Sequence, residues 1–317
     1  MVAIKYSKFS PWGKVLFFVV LFFIVVIAFK WLRSKLSMSS SNQEGFEQID
    51  RFLFKSAVPD IYDPFYADIY DYLVFNNMKN EYEVGEIINK TDATSQSVVL
   101  DIGSGTGHHV ALLSAKGIDA IGMDISPSMV KKAKKNYPDY KFEVGDVLNM
   151  RQFQPQTFTH ITCFYFTLYY IKDKSAFFEN CMQWLMPGGY LIVHVVNREL
   201  FDPILPPGNP LLLVSPQRYA KKRITTTSVK FNDFTYNADF KIPETGSADE
   251  DKVVSFVEKI KNDKDGKVRK NEHTLYMESE TRIVQMAEET GFIVKAKIDL
   301  LQCQYEYQYL YVFEKPN

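Results

Sequence analysis

The 317 residues are 46% apolar and 24% charged, with a formal net charge of −1. That balance excludes wholesale disorder, collagen-like repetition and a polytopic membrane protein, and the length fits one or two domains. The charge is unevenly spread: residues 1–43 hold Lys5, Lys8, Lys14, Lys30, Arg33 and Lys35 and no acid, which leaves the remainder acidic by seven charges. An acidic body gives no general electrostatic reason to bind nucleic acid, and none is expected as a partner.

Val15 to Phe29 is an unbroken apolar run. Counted from Trp12 to Leu32 it becomes a helix of about 31 Å at 1.5 Å per residue, enough for a hydrocarbon core of about 30 Å. Lys14 and Lys30 can snorkel to the interfaces, where Trp12 and Trp31 also sit well. No A-x-A-like cleavage site follows, and the segment has no polar face for a core helix. The expectation is an N-terminal anchor over 1–36, with a single membrane helix at about 12–32 and the lipid bilayer as its partner. Basic residues flank both ends, so charge alone does not orient it. Residues 37–45 (SMSSSNQEG) read as a linker. Cys163, Cys181 and Cys303 are too few and too scattered for a disulfide framework.

From Gly45 to Lys90 the spacing of apolar and aromatic residues is helical, with breaks at Pro59 and Pro64. Short apolar runs then alternate with amphipathic ones. Val98–Ile102, Ala120–Met123, Lys141–Val144, Phe158–Phe164 and Tyr190–Val196 read as strands, with helices near 107–116, 127–136 and 174–185 between them. Ser126-Pro127 is a helix start, and Met186-Pro187-Gly188-Gly189 reads as a tight turn. Alternation of this kind predicts an α/β fold with a doubly wound, mostly parallel sheet. Glu280–Thr290 adds a last helix, followed by two strands at Ile293–Leu300 and Tyr305–Glu314. Between Asn197 and Ser279 the pattern changes. Four prolines from Pro203 to Pro210 and hairpin signals at Asn232-Asp233 and Asp263–Gly266 predict an antiparallel β insertion over 198–279, capping a core of 46–197 and 280–317.

The most informative stretch is Asp101-Ile102-Gly103-Ser104-Gly105-Thr106-Gly107, a buried strand ending in a glycine turn that opens a helix. Glycine there lets a ligand approach the backbone and permits positive φ. Alone, such a turn is also compatible with dinucleotide binding. Three acids strengthen it: Asp101 before the glycines, Asp124 closing the second strand and Asp146 closing the third, at the carboxyl edge where open sheets bind ligands. Each, taken singly, is as well explained as a helix cap.

D-I-G-S-G-T-G at 101–107, M-D-I-S at 123–126, G-D-V at 145–147 and L-x-P-G-G at 185–189 resemble the class I S-adenosylmethionine-dependent methyltransferases. The likeness covers about 60–197, and the elements at 280–315 fit the end of that fold. It implies a Rossmann-like, seven-stranded, mostly parallel sheet with S-adenosylmethionine as cofactor. By position, Asp101 and the Gly103–Gly107 backbone would surround the methionine moiety, Asp124 the ribose, and Asp146 with Val147 the adenine. Ser104, Gly105 and Ile125 complete the cofactor-contacting set, and Phe164 with Tyr165 would floor the pocket. The segment Asp63–Asp71 is similar to the lid of small-molecule members, where Tyr66 and Tyr70 would reach cofactor or substrate; packing onto the core explains them equally well. There is also a likeness to membrane-tethered methyltransferase-domain proteins of large DNA viruses.

Methyl transfer from a sulfonium needs alignment and a dry site more than a dedicated base. His194, Tyr165 and the pair His108–His109 are the candidates by residue type; a strand histidine held by hydrogen bonds is the plainer reading of His194. His273 lies on an expected insertion strand that could reach the acceptor pocket. No Asp/Asn-Pro-Pro-Tyr motif follows the fourth strand, and no metal-binding Cys/His spacing is present. The expected acceptor is therefore a small or lipid-like molecule. Because the cofactor is cytosolic, the body is expected on the cytosolic side of a single-pass membrane protein. The alternatives are a non-catalytic, membrane-anchored cofactor-binding scaffold and a nucleotide-dependent oxidoreductase, although Gly105 lacks the third glycine a dinucleotide fingerprint wants three residues on.

Overall fold

The structure is a computed structural model, and residues 52–203, 216–242 and 253–317 are described. Its first elements are strand β1 (Phe52–Lys55) and helices α1 (Pro64–Val74) and α2 (Asn77–Thr91). Then come β2 (Val98–Ile102), α3 (His108–Ala115), β3 (Asp119–Asp124), α4 (Pro127–Asn136), β4 (Lys141–Val144) and β5 (Phe158–Cys163). The short α5 (Thr167–Tyr170), α6 (Lys174–Trp184) and β6 (Leu185–Val196) complete this run. Four strands follow, β7 (Thr226–Lys230), β8 (Phe234–Lys241), β9 (Val253–Asn262) and β10 (Val268–Tyr276), and the chain ends with α7 (Glu280–Glu289), β11 (Ile293–Asp299) and β12 (Gln308–Glu314).

Seven strands form the main sheet in the order β11-β12-β6-β5-β2-β3-β4. Strands β2 to β6 pair in parallel, and the apolar, buried runs of β2 and the later part of β6 fit strands covered on both faces. β12 lies antiparallel to β6 and β11 antiparallel to β12, so the sheet is mixed and not parallel throughout. Helix starts are set locally. Ser126 accepts from the Met129 N–H with Pro127 in the first turn, Asp173 caps α6 through the Ala176 N–H, and Ser279 caps α7 through the Arg282 N–H. Phe177, Phe178 and Trp184 on α6 and Ile283 and Ala287 on α7 are buried in the same cluster as Leu191, Val193 and Phe313 of the sheet. Each such large side chain contributes about 1.5–3 kcal/mol through burial.

The second sheet has five strands in the order β1-β10-β9-β8-β7, and the two hairpin turns fall where the sequence placed them. Its edge strand is unexpected. β1 comes from the region read as helical and pairs in parallel with β10, Phe52 opposite Val268 and Lys55 opposite Asn271. Four residues that alternate exposed and half-buried are too short a run to stand out from a helical pattern. A second departure is at Met186–Gly189, which continues β6 where a tight turn was expected. Gly188 sits at φ 71°, and the β5–β6 register shifts between Phe158 and His160, so the extra residues are absorbed as an irregularity inside the strand.

The expectations of membrane location need correction. Among the described residues no helix is long and apolar enough to cross a membrane. The segment 12–32, on which the single-pass anchor, the bilayer partner and the cytosolic orientation all rested, lies outside the described residues, as do the linker 37–45 and residues 204–215 of the insertion.

Candidate functional site

The carboxyl ends of β2, β3 and β4 open onto a cavity of about 510 Å³, roofed by α1 and closed on the far side by the second sheet. Its floor is the glycine turn. Gly103, Gly105 and Gly107 sit at φ 68°, 55° and 93°, in the region that penalises any side chain. The N–H groups of Gly103 and Ser104 both donate to the Met123 carbonyl, at 2.8 and 3.0 Å, which clips the turn to the end of β3. A Cβ on Gly107 would stand 2.7 Å from the Phe142 ring, so bulk there is excluded by packing as well as by conformation. Gly105 lines the cavity itself.

Asp124, at the end of β3, also lines the cavity, and its two carboxylate oxygens accept from the Gly105 N–H at 3.0 Å and the Ser126 N–H at 2.8 Å. Burial pushes its carboxyl up to about 6, against the opposing pull of those two donors. Asp146 follows β4 on the same rim; its Oδ1 accepts from the Leu148 N–H at 2.9 Å, and Val147 beside it is buried.

The roof is tied down at several points. Thr106 Oγ1 donates to Asp71 Oδ1 at 2.6 Å, and Ser126 Oγ donates to the Tyr62 carbonyl at 2.6 Å. Arg269, buried on β10, donates through one nitrogen to both oxygens of Asp63, the α1 cap, at 2.8 and 2.9 Å. A planar guanidinium fixes such a cap more firmly than a point charge could. α1 is thereby bound to both sheets; it presents Tyr66 and Tyr70 to the cavity, and Tyr62, just before its cap, lines the cavity beside them.

Of the residues singled out from sequence, Gly103, Gly105, Asp124, Ile125, Asp146, Val147, Tyr165, Tyr66 and Tyr70 all line this cavity. Asp101, Ser104, Gly107, Phe164 and His194 do not. Asp101 lies behind the wall, accepting from Thr162 Oγ1 at 2.8 Å, and burial pushes its carboxyl up to about 6. Ser104 is turned beneath β3 toward Gly122. Phe164 stacks on His109 with ring centroids 3.9 Å apart, inside the core, so Tyr165 and Phe166 take the place expected for it. His194 is fully buried, and burial followed by the nearby Lys79 brings its pKa down to about 3, so it stays neutral.

Several wall residues escaped sequence reasoning: Tyr62, Thr167 and Tyr170 from the core, and Phe240, Phe256 and Leu275 from the second sheet. Only the alternation of β8 to β10 hinted at the latter, because it says that one face is covered without saying by what. Beneath Tyr165 lies a buried charge cluster. Lys79 pairs with Glu83 one turn on, His109 Nε2 is 2.9 Å from the other Glu83 oxygen, and Lys79 Nζ sits 3.8 Å from the Tyr165 ring centroid. Burial alone would raise the Glu83 carboxyl, but Lys79 and His109 bring it down to about 2.

Residues 100–193 match the methyltransferase domain family. S-adenosylmethionine is the cofactor that goes with such a domain. The chain is 28% identical over 139 residues to a dTDP-4-amino-2,3,4,6-tetradeoxy-D-glucose N,N-dimethyltransferase of Saccharopolyspora spinosa, covering 42% of this chain and 55% of that protein. It is 30% identical over 121 residues to a ubiquinone biosynthesis O-methyltransferase of Xylella fastidiosa, covering 36% of this chain and 48% of that one. The chain thus spans about half the length of the curated relatives it matches. In fold it is similar to an S-adenosylmethionine-dependent methyltransferase from Clostridium acetobutylicum, with a TM-score of 0.59 at 17% identity over 80% of this chain and 98% of the other.

Proposed function

We propose that this chain transfers a methyl group from S-adenosylmethionine to a small-molecule acceptor. The observation that carries the reading is the single cavity that gathers the positive-φ glycine turn, Asp124 and Asp146 on one side and an apolar and aromatic wall on the other. The residues fit the cofactor. Gly105 offers bare backbone, Asp124 offers a carboxylate suited to paired ribose hydroxyls, and Asp146 with Val147 offers a polar and an apolar contact for a purine. The relatives' names support a small acceptor, since one acts on an amino sugar nucleotide and the other in ubiquinone biosynthesis.

When bound, S-adenosylmethionine supplies an already activated methyl group. The chain's part is to align and to keep water out. Tyr62, Tyr66 and Tyr70 would cover the cofactor from above, while Phe240, Phe256 and Leu275 would bound the acceptor side with apolar surface. Asp101, behind the turn, would act by holding the strand end through Thr162 rather than by touching ligand. The test is incubation of the purified full chain with methyl-labelled S-adenosylmethionine and a panel of small amines and phenols, read by mass spectrometry. Product carrying one added methyl group supports the reading; a panel left wholly unmethylated by protein that binds S-adenosylhomocysteine contradicts it.

A further inference from the structure

Glu258, on β9, is completely buried, and its carboxylate accepts four hydrogen bonds. Tyr66 Oη donates at 2.8 Å and Tyr236 Oη at 2.7 Å; Asn271 Nδ2 lies at 3.0 Å and His273 Nε2 at 2.8 Å. A carboxyl ringed by donors is an ionised acceptor. Burial would raise its pKa, yet the hydrogen bonds from His273, Asn271 and Tyr236 hold it below the usual carboxylate range. This fixes His273. Its Nε2 carries the hydrogen given to Glu258, so Nδ1 is left to accept from the Tyr170 hydroxyl, 2.8 Å away. Tyr170 in turn accepts from the Tyr62 hydroxyl at 2.9 Å.

The hydrogen bonds therefore run one way, from Tyr62 through Tyr170 and His273 to Glu258. The outer two members line the cavity and the inner two lie behind its wall, where the second sheet meets α1 and α5. A polar knot that only joined β9 and β10 to α1 would be complete with Tyr66, Tyr236 and Asn271. The branch through His273 adds a second path, which ends on Tyr170 and Tyr62, two residues that line the cavity. Tyr62, Tyr70 and Glu258 face Tyr170, and Tyr66 and Tyr236 reach the far side of Glu258. Arg269, on β10 with His273, pairs with Asp63 and donates through Nε to Asn271 Oδ1 at 2.8 Å. A proton arriving on His273 would meet the Glu258 carboxylate and form a neutral pair.

We propose that Tyr170 is a catalytic residue that takes the proton of the methyl acceptor, with His273 storing it and Glu258 positioning His273. The acceptor class follows: a small molecule whose nucleophile arrives carrying a proton, on a hydroxyl or an amine. The nucleophile's bond to the methyl carbon forms as the carbon–sulfur bond breaks, with that electron pair going to sulfur. The acceptor's proton passes to Tyr170 Oη while the Tyr170 proton moves to His273 Nδ1, giving an imidazolium against Glu258. The inference rests on the methyltransferase reading above.

Two measurements on the full chain test it. Nitrogen-15 histidine spectra should show His273 as the neutral Nε2–H tautomer, with an Nδ1 resonance that moves in Tyr170→Phe; an Nδ1–H tautomer, or no response to that substitution, overturns the relay. In the second, kcat is compared for phenol, neutral at the assay pH, and para-nitrophenol, already ionised. Loss of a positioned proton acceptor costs on the order of 100-fold, so Tyr170→Phe and His273→Gln should lose about that factor with phenol and little with para-nitrophenol. Affinity for S-adenosylhomocysteine should be unchanged. Equal losses on both phenols overturn the proposal and mark the network as structural. If the wild-type chain methylates phenol and both variants keep its rate, the relay fails alone; if it binds S-adenosylhomocysteine but methylates neither phenols nor amines, the methyltransferase reading fails with it.

Discussion

Asp124 shows how a single side chain carries two opposed demands. Its carboxyl is pushed up to about 6, above the ordinary value near 3.8. The folded chain thus holds a proton there that the unfolded chain has lost, so the group's stabilising contribution is complete in acid and disappears as pH rises through about 6. Ligand binding has the opposite sign, because the ionised form is the better acceptor for ribose hydroxyls. Affinity for S-adenosylhomocysteine should weaken as pH falls through 6, and Asp124→Ala should abolish that dependence while costing about 1.5–3 kcal/mol of binding; titration calorimetry at two pH values checks both. Gly107→Ala should act on the fold instead. Positive φ costs a side chain about 1–2 kcal/mol before the Phe142 clash is counted, so thermal unfolding should shift down by several degrees. Residues of this kind were legible because the turn needs glycine and the rim needs acids. Phe164 and His194 were misplaced because a strand's period of two fixes which residues share a face, but not which face meets the cavity.

The helices carry charges that the sequence disguises. Lys79 and Glu83, charged residues within an amphipathic helix, are both fully buried and paired one turn apart. The pattern of α2 alone cannot reveal this, since the covering surface comes from Tyr165 and Tyr305, far along the chain. Breaking a buried pair by removing one partner typically costs about 3–5 kcal/mol. Lys79→Met should fall in that range by chemical denaturation, whereas the double variant Lys79→Met with Glu83→Leu should recover part of the loss. The Glu83 carboxyl lies near 2 in the folded chain, against an ordinary value near 4.5. Its stabilising share is therefore present above 4.5 and lost as pH falls from there toward 2. Acid denaturation of Lys79→Met should be correspondingly less steep in that window.

At the scale of the molecule, alternating apolar and amphipathic runs made the main sheet readable almost strand by strand, and the two hairpin turns made the second sheet readable as antiparallel. What sequence did not yield was how the sheets are joined. β1 crosses from before the core to the edge of the second sheet, and Arg269 bridges from β10 back to the α1 cap. Both are long-range contacts without a local signature. Leu53→Pro should disrupt β1 and its pairing with β10 and raise amide hydrogen exchange along Val268–Asn271 while leaving β2 and β3 protected. If β2 and β3 lose protection equally, β1 is needed for the whole fold and not only for the edge of the second sheet.

All of these features converge on one cavity, and the direct test is whether it holds the cofactor. Titration calorimetry of the full chain with S-adenosylhomocysteine, and separately with NAD, should give saturable one-to-one binding for the first and none for the second, with the first weakened in Asp124→Ala. Binding of NAD in preference, or S-adenosylhomocysteine binding unaffected by Asp124→Ala, would contradict the account.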